Sequence, residues 1–133
     1  MSVPAGVTYN VTRMRDEIGS FVRLTASSNA AWFVVTQTEP IRTLDNVPVT
    51  IRGQIRSSSS AKQALQVFDF YEKEKFTQLN AEGAGGKDWN TLSLHLIVKK
   101  PDERDYYSLG LFDVKKGDSF DIRELSAYIG YLP

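Results

Sequence analysis

The 133 residues contain no cysteine, which excludes disulfides, thiolate nucleophiles and cysteine-ligated zinc together. The single histidine, His95, lacks the second imidazole or thiolate that a typical zinc site needs. Net charge is missing too. The 16 Lys and Arg residues balance 16 Asp and Glu, so no global field attracts nucleic acid or anionic lipid, and any partner has to be recognised locally. No apolar run approaches the ~18 residues of a membrane span, so membrane insertion is not expected. Neither a Gly-x-Ser-x-Gly elbow nor a phosphate-binding loop occurs. The glycine-rich run at 82–87 lacks the following Ser or Thr and the helix behind it, and reads as a mobile loop. The opening Met-Ser-Val-Pro-Ala-Gly has no basic segment before an apolar stretch, so no secretory signal is expected. Two origins stay open: a cytoplasmic chain as written, or a module cut from a longer exported polypeptide.

What is present is strand. Hydrophobic residues make up 41% and charged residues 24%, enough apolar material for one core, so residues 1–133 are expected to form a single domain. Turn signals at Ser27-Ser28-Asn29, Leu44-Asp45-Asn46, Ser57 to Ser60, Lys100-Pro101-Asp102 and Lys116-Gly117-Asp118 punctuate the chain. Between the turns, strands are expected at 7–12, 21–26, 31–38, 47–57, 63–71, 76–80, 89–99, 106–113 and 119–128, with helical turns at most at 14–18 and 60–65. Many short strands at regular spacing argue for an all-β sandwich or jelly roll of two antiparallel sheets.

Alternation then assigns faces. Val49, Ile51 and Ile55 oppose Thr50, Arg52, Gln54 and Arg56, while Leu92, Leu94, Leu96 and Val98 oppose Ser93, His95, Ile97 and Lys99. Tyr107, Leu109 and Leu111 likewise oppose Tyr106, Ser108 and Gly110, and in the last strand Phe120 and Ile122 oppose Asp121 and Arg123. One set is core; the other is a polar, aromatic or small-residue face that lines a shallow trough if the sheet is curved.

Four segments in order, 47–58, 65–70, 89–94 and 107–125, resemble the carbohydrate-binding modules with a galactose-binding-like jelly roll. The resemblance covers roughly the C-terminal two thirds of the chain and implies a noncatalytic module that holds an oligo- or polysaccharide. Members of that group commonly carry a structural calcium held partly by an acidic pair near the end of the last strand. Here the similar position reads Arg123-Glu124 with Asp121 two residues earlier, a cation where a carboxylate belongs, so no calcium and no other cofactor is expected.

Sugars are held by flat aromatic faces and by planar polar side chains that bond adjacent hydroxyls. That requirement selects Arg52, Gln54, His95 and Tyr106, expected to converge if their strands are neighbours, with Asp69 as a further acceptor. Trp32 is the stacking platform if it faces the trough, although parity alone leaves its face undecided. Arg52 and Arg56 hint at an acidic sugar. Against this stands the plainer reading that Arg52, Gln54 and Arg56 only make cross-strand partners on a solvated face. Trp89 is expected to be structural, and Phe68-Asp69-Phe70-Tyr71 reads as core with Asp69 turned outward. The alternative function is a protein-interaction or oligomerisation domain of a larger glycan-processing enzyme, whose partner is a neighbouring domain or subunit. The weakest reading is an enzyme using His95 and Asp69 as acid and base.

Overall fold

A computed structural model describes residues 9–37, 46–72, 75–98 and 105–132. Among them there are nine strands and no helix: β1 Tyr9–Arg15, β2 Ser20–Ala26, β3 Ala30–Gln37, β4 Val47–Ser57, β5 Gln63–Glu72, β6 Lys75–Gly83, β7 Asn90–Val98, β8 Tyr106–Val114 and β9 Ser119–Ile129. They form two antiparallel sheets, a five-stranded one ordered β1-β2-β9-β4-β7 and a four-stranded one ordered β3-β8-β5-β6, which pack as a jelly-roll sandwich.

Each expected strand exists, with shifted ends. The expected helical turn at 14–18 is replaced by the end of β1 and a bend, where the Asp16 carboxylate accepts from the Ile18 and Gly19 amides and closes the β1–β2 turn. At 60–65 the chain enters β5 instead. Residues 7, 8, 38 and 99, the turn at 100–102 and positions 44 and 45 lie outside the described residues.

Period-two patterning explains the packing. Val49, Ile51 and Ile55 of β4 meet Leu65 and Val67 of β5 and Leu109 and Leu111 of β8 in one dry cluster. Phe33 of β3 and Phe120 of β9 join the sheets edge to face, their centroids 5.0 Å apart at 78°. Burying each such side chain contributes about 1.5–3 kcal/mol, which sets the gain from this core against the entropy lost on folding.

Two local devices set the ladders. The turn Lys116-Gly117-Asp118 closes through an Asp118 amide bond to Lys115, and Gly117 takes φ +94°, a left-handed value open to glycine at little cost. On β9, Glu124 takes φ +56° and the register against β4 slips between Arg52 and Gln54, a β-bulge that re-aims the strand.

Candidate functional site

The outward face of the five-stranded sheet carries Arg52 and Gln54 on β4 and His95 on neighbouring β7. Thr50 pairs with His95, Arg52 with Ser93 and Gln54 with Thr91. Arg52 and His95 share a depression of about 500 Å³ with Thr91, Ser93, Leu94 and Leu132. Most of this face is committed to itself. The Asp121 carboxylate, 4% exposed, takes Arg23 Nε at 2.8 Å and Arg56 Nε at 2.7 Å. The Arg56 guanidinium also lies 4.7 Å from the Phe21 ring centre and 4.5 Å from that of Trp89, while Arg123 lies 4.1 Å from Trp89. Arg123 donates to Gln54, whose amide nitrogen reaches Thr91 Oγ1 at 3.4 Å. His95 Nε2 is 2.8 Å from the Leu132 carbonyl, and its ring stacks on Tyr131 at 4.7 Å. Thr50 beneath donates to Gly130 and accepts from Leu132, so the segment after β9 lies over this corner. Trp89 packs edge-on against Phe21 at 5.8 Å, a structural position.

The outward face of the four-stranded sheet is built differently. Its registers align Trp32 with Phe112, then Val34 with Gly110, Ala64 and Glu82, then Thr36 with Ser108, Gln66 and Asn80, then Tyr106 with Phe68 and Gln78, and last Phe70 with Phe76. Two aromatic rows therefore flank a floor of small and polar side chains. Ala64 and Ser108 are buried at the bottom, Gln66 and Thr36 are half-buried, and Asn80 and Gln78 are exposed. A Cβ at Gly110 would sit 2.2 Å from the Phe33 carbonyl oxygen, so only glycine lets β3 and β8 close beneath this floor. Trp32 is 55% exposed. Tyr106 stacks on Phe68 at 4.6 Å and 20°, and burial raises its phenol pKa, keeping the hydroxyl protonated as a donor. Along β8, six residues separate the Trp32 row from the Tyr106 row, about 20 Å at ~3.3 Å per residue.

Two expectations need correction. Tyr106 does not converge with Arg52, Gln54 and His95: β4 and β7 are neighbours, but β8 belongs to the other sheet, so the side chains face away from each other across the sandwich. Asp69 does not turn outward. It shares the inward parity of Leu65 and Val67 and is 3% exposed, while Phe68 and Phe70 take the outer face; the Tyr71 side chain lies outside the described residues. An acid–base pairing of His95 with Asp69 fails with it, because one faces out from the five-stranded sheet and the other inward from the four-stranded one. Gln66, Gln78, Asn80, Thr36 and Ser108 went unnoticed as candidates. The signal for Gln66, Gln78 and Asn80 is strict alternation in β5 and β6, where Gln66 shares parity with the aromatic Phe68, and for Thr36 and Ser108 the alternation of β3 and β8. Among the described residues, no three His, Asp or Glu side chains are grouped to hold a metal ion, and no helix is long and apolar enough to cross a membrane.

No protein-family model and no curated protein matches the chain. Solved structures do. A xylan-binding CBM22-1 domain from Paenibacillus barcinonensis superposes with TM-score 0.66 at 19% identity, covering 96% of this chain and 84% of that one. A family 16 carbohydrate-binding module gives 0.66 at 11% identity, covering 95% and 89%. A family 11 module from Clostridium thermocellum, in complex with a β-1,3-1,4-mixed-linked tetrasaccharide, gives 0.61 at 11% identity, covering 98% and 88%. The chain has the jelly-roll fold of the carbohydrate-binding modules.

Proposed function

We propose that the protein is a noncatalytic carbohydrate-binding module whose ligand, a short oligosaccharide, lies across the outward face of the four-stranded sheet. The observation that carries this reading is the row Thr36, Ser108, Gln66 and Asn80, set between the Trp32 row and the Tyr106–Phe68 row. A pyranose offers a C–H face and adjacent hydroxyls. An exposed indole suits the first, and carboxamides, which donate and accept, suit the second. Hydrolysis would need two opposed carboxylates. Among the described side chains Glu82 is the single carboxylate on this face, and it is paired with Lys62 at 3.3 Å. The fold neighbours add support, since xylan and a mixed-linked tetrasaccharide are ligands of two of them.

The test is calorimetric titration with xylo-oligosaccharides and mixed-linked gluco-oligosaccharides, alongside tryptophan fluorescence. Sugar stacking on Trp32 shifts and intensifies the emission. Absence of heat and of any emission change with every oligosaccharide at millimolar concentration would sink the reading.

The aromatic end of the same face favours a second reading, in which it docks a neighbouring domain or subunit. Phe76 is 46% exposed beside Phe68 and Phe70, at 5.6 and 5.2 Å, and aromatic enrichment marks interface cores. A mass that rises with concentration and returns to monomer in Phe76→Ser would favour it.

A further inference from the structure

The fork where β2 and β9 part company encloses a cavity of about 630 Å³, in the size range of small-ligand sites. Its origin is the ladder. β2 pairs with β9 only from Val22↔Ile122 to Thr25↔Ser119, and beyond that point β9 bulges at Glu124 and is paired with β4 alone. Ser20 and Phe21 remain paired with β1, and the sheet opens between the two edges. The fork is lined from both sides: Arg13, Arg15, Val22, Ile122 and Leu125 lie on one, and Met14, Phe21 and Arg123 on the other.

Its charge is unbalanced. Arg13, Arg15 and Arg123 line the fork against one carboxylate, Glu124, and none of the three forms an ion pair among the described residues. Arg23 and Arg56, by contrast, are both paired with Asp121. Arg123 Nη1 is closed off from water without a hydrogen-bond acceptor. A further carboxylate, Asp16, is held by the Ile18 and Gly19 amides, lies 3.8 Å from Arg56 and is also attracted by Arg123. Guanidinium forks bind carboxylates with directed, charge-assisted hydrogen bonds, and the apolar lining of Phe21, Val22, Ile122 and Leu125 suits the body of a ring.

We propose that this fork is a second binding site, for a sugar unit carrying a carboxylate, that is, a uronic acid. The site stands apart from the four-stranded face, so either can fail while the other holds. The test is titration of ¹⁵N-labelled protein with sodium glucuronate and, separately, with glucose. Glucuronate is expected to shift the amides of Ser20, Phe21, Glu124 and Leu125, together with the Arg13 and Arg15 Nε–H signals, and glucose to leave them unmoved. The Arg13→Gln, Arg15→Gln double variant weakens glucuronate by about tenfold or more, and Trp32→Ala leaves it unchanged. In about 1 M sodium chloride, where the screening length is ~3 Å, the affinity falls. Equal shifts with glucose, no shifts with glucuronate, full affinity in the double variant, or indifference to salt would each overturn the proposal.

Discussion

The two outer faces of this sandwich have similar polarity and opposite bookkeeping. On the five-stranded face nearly every charge has an internal partner: Asp121 holds two arginines, Arg56 lies against both Phe21 and Trp89, and Gln54 bridges Arg123 and Thr91. On the four-stranded face the polar groups, apart from Glu82 at its edge, are uncharged amides and hydroxyls, and the indole of Trp32 stands in water. A ligand arriving at the first face has to displace several ion pairs and hydrogen bonds already made, whereas one arriving at the second displaces water and at most the exposed Gln78–Asn80 bond. Polar residues at outward positions thus stabilise in one sheet and remain available in the other, and what distinguishes them is pairing rather than composition.

The sharpest way to break that contrast is to attack the paired face. Asp121→Ala removes a carboxylate 4% exposed and leaves Arg23 and Arg56 facing each other. Breaking a buried pair costs ~3–5 kcal/mol; with both guanidinium groups partly in water, a loss of about 3 kcal/mol is expected in urea unfolding. Sugar affinity of the folded fraction stays unchanged. A variant that unfolds like the parent would mean that the network is only a solvated cover.

Trp32→Ala carries the next effect. Truncating an interface tryptophan costs at least ~2 kcal/mol, roughly a thirtyfold loss of oligosaccharide affinity by calorimetry. The unfolding midpoint is expected to hold, because the side chain is more than half in water. Below it comes Gln66→Ala, at the centre of the polar row, with ~1 kcal/mol, about fivefold in affinity.

A pH dependence separates the faces further. Asp16, in the β1–β2 turn, has its pKa lowered chiefly by the Ile18 amide, with Gly19, Arg123 and Arg56 adding to that and desolvation opposing it. A depressed carboxylate stabilises the fold above its unfolded pKa and loses that contribution as pH falls through the folded value. Amide protection in Tyr9–Arg15 and Ser20–Ala26, corrected for the intrinsic exchange rate at each pH, is expected to fall in acid before the four-stranded sheet responds. Simultaneous loss of protection in both sheets would refute it.

The fold was readable because strand alternation is local. The residues of β4 and β8 announce their inward and outward sides from composition alone, and the strands fall where the pattern puts them. β6 runs on to Gly83, into the glycine-rich run at 82–87 where a mobile loop is expected, because pairing of Gln63 and Ala64 with Gly83 and Glu82 overrides local propensity. The site was half legible for the same physical reason. Parity says which residues face out, but not which sheet a strand joins, and that depends on pairings such as β5 with β8 that are remote in sequence. Tyr106 and His95 thus looked like neighbours. Asp69 misled differently: an acid on the inward parity of Leu65 and Val67 contradicts the usual exposure of carboxylates, and only the packed coordinates reveal it.

The smallest expected effect discriminates best. Arg52→Ala with His95→Ala removes two of the four residues that alternation and chemistry made the first candidates, and both line one depression of about 500 Å³. If the four-stranded face binds the sugar, this double variant changes affinity for neutral oligosaccharides by less than about twofold, which is under ~0.4 kcal/mol. Small stability loss is expected, because His95 gives up its Leu132 contact and its stacking on Tyr131. A loss of binding comparable to that of Trp32→Ala would exchange the roles of the two faces, since Arg52 and Trp32 lie on different sheets of the sandwich.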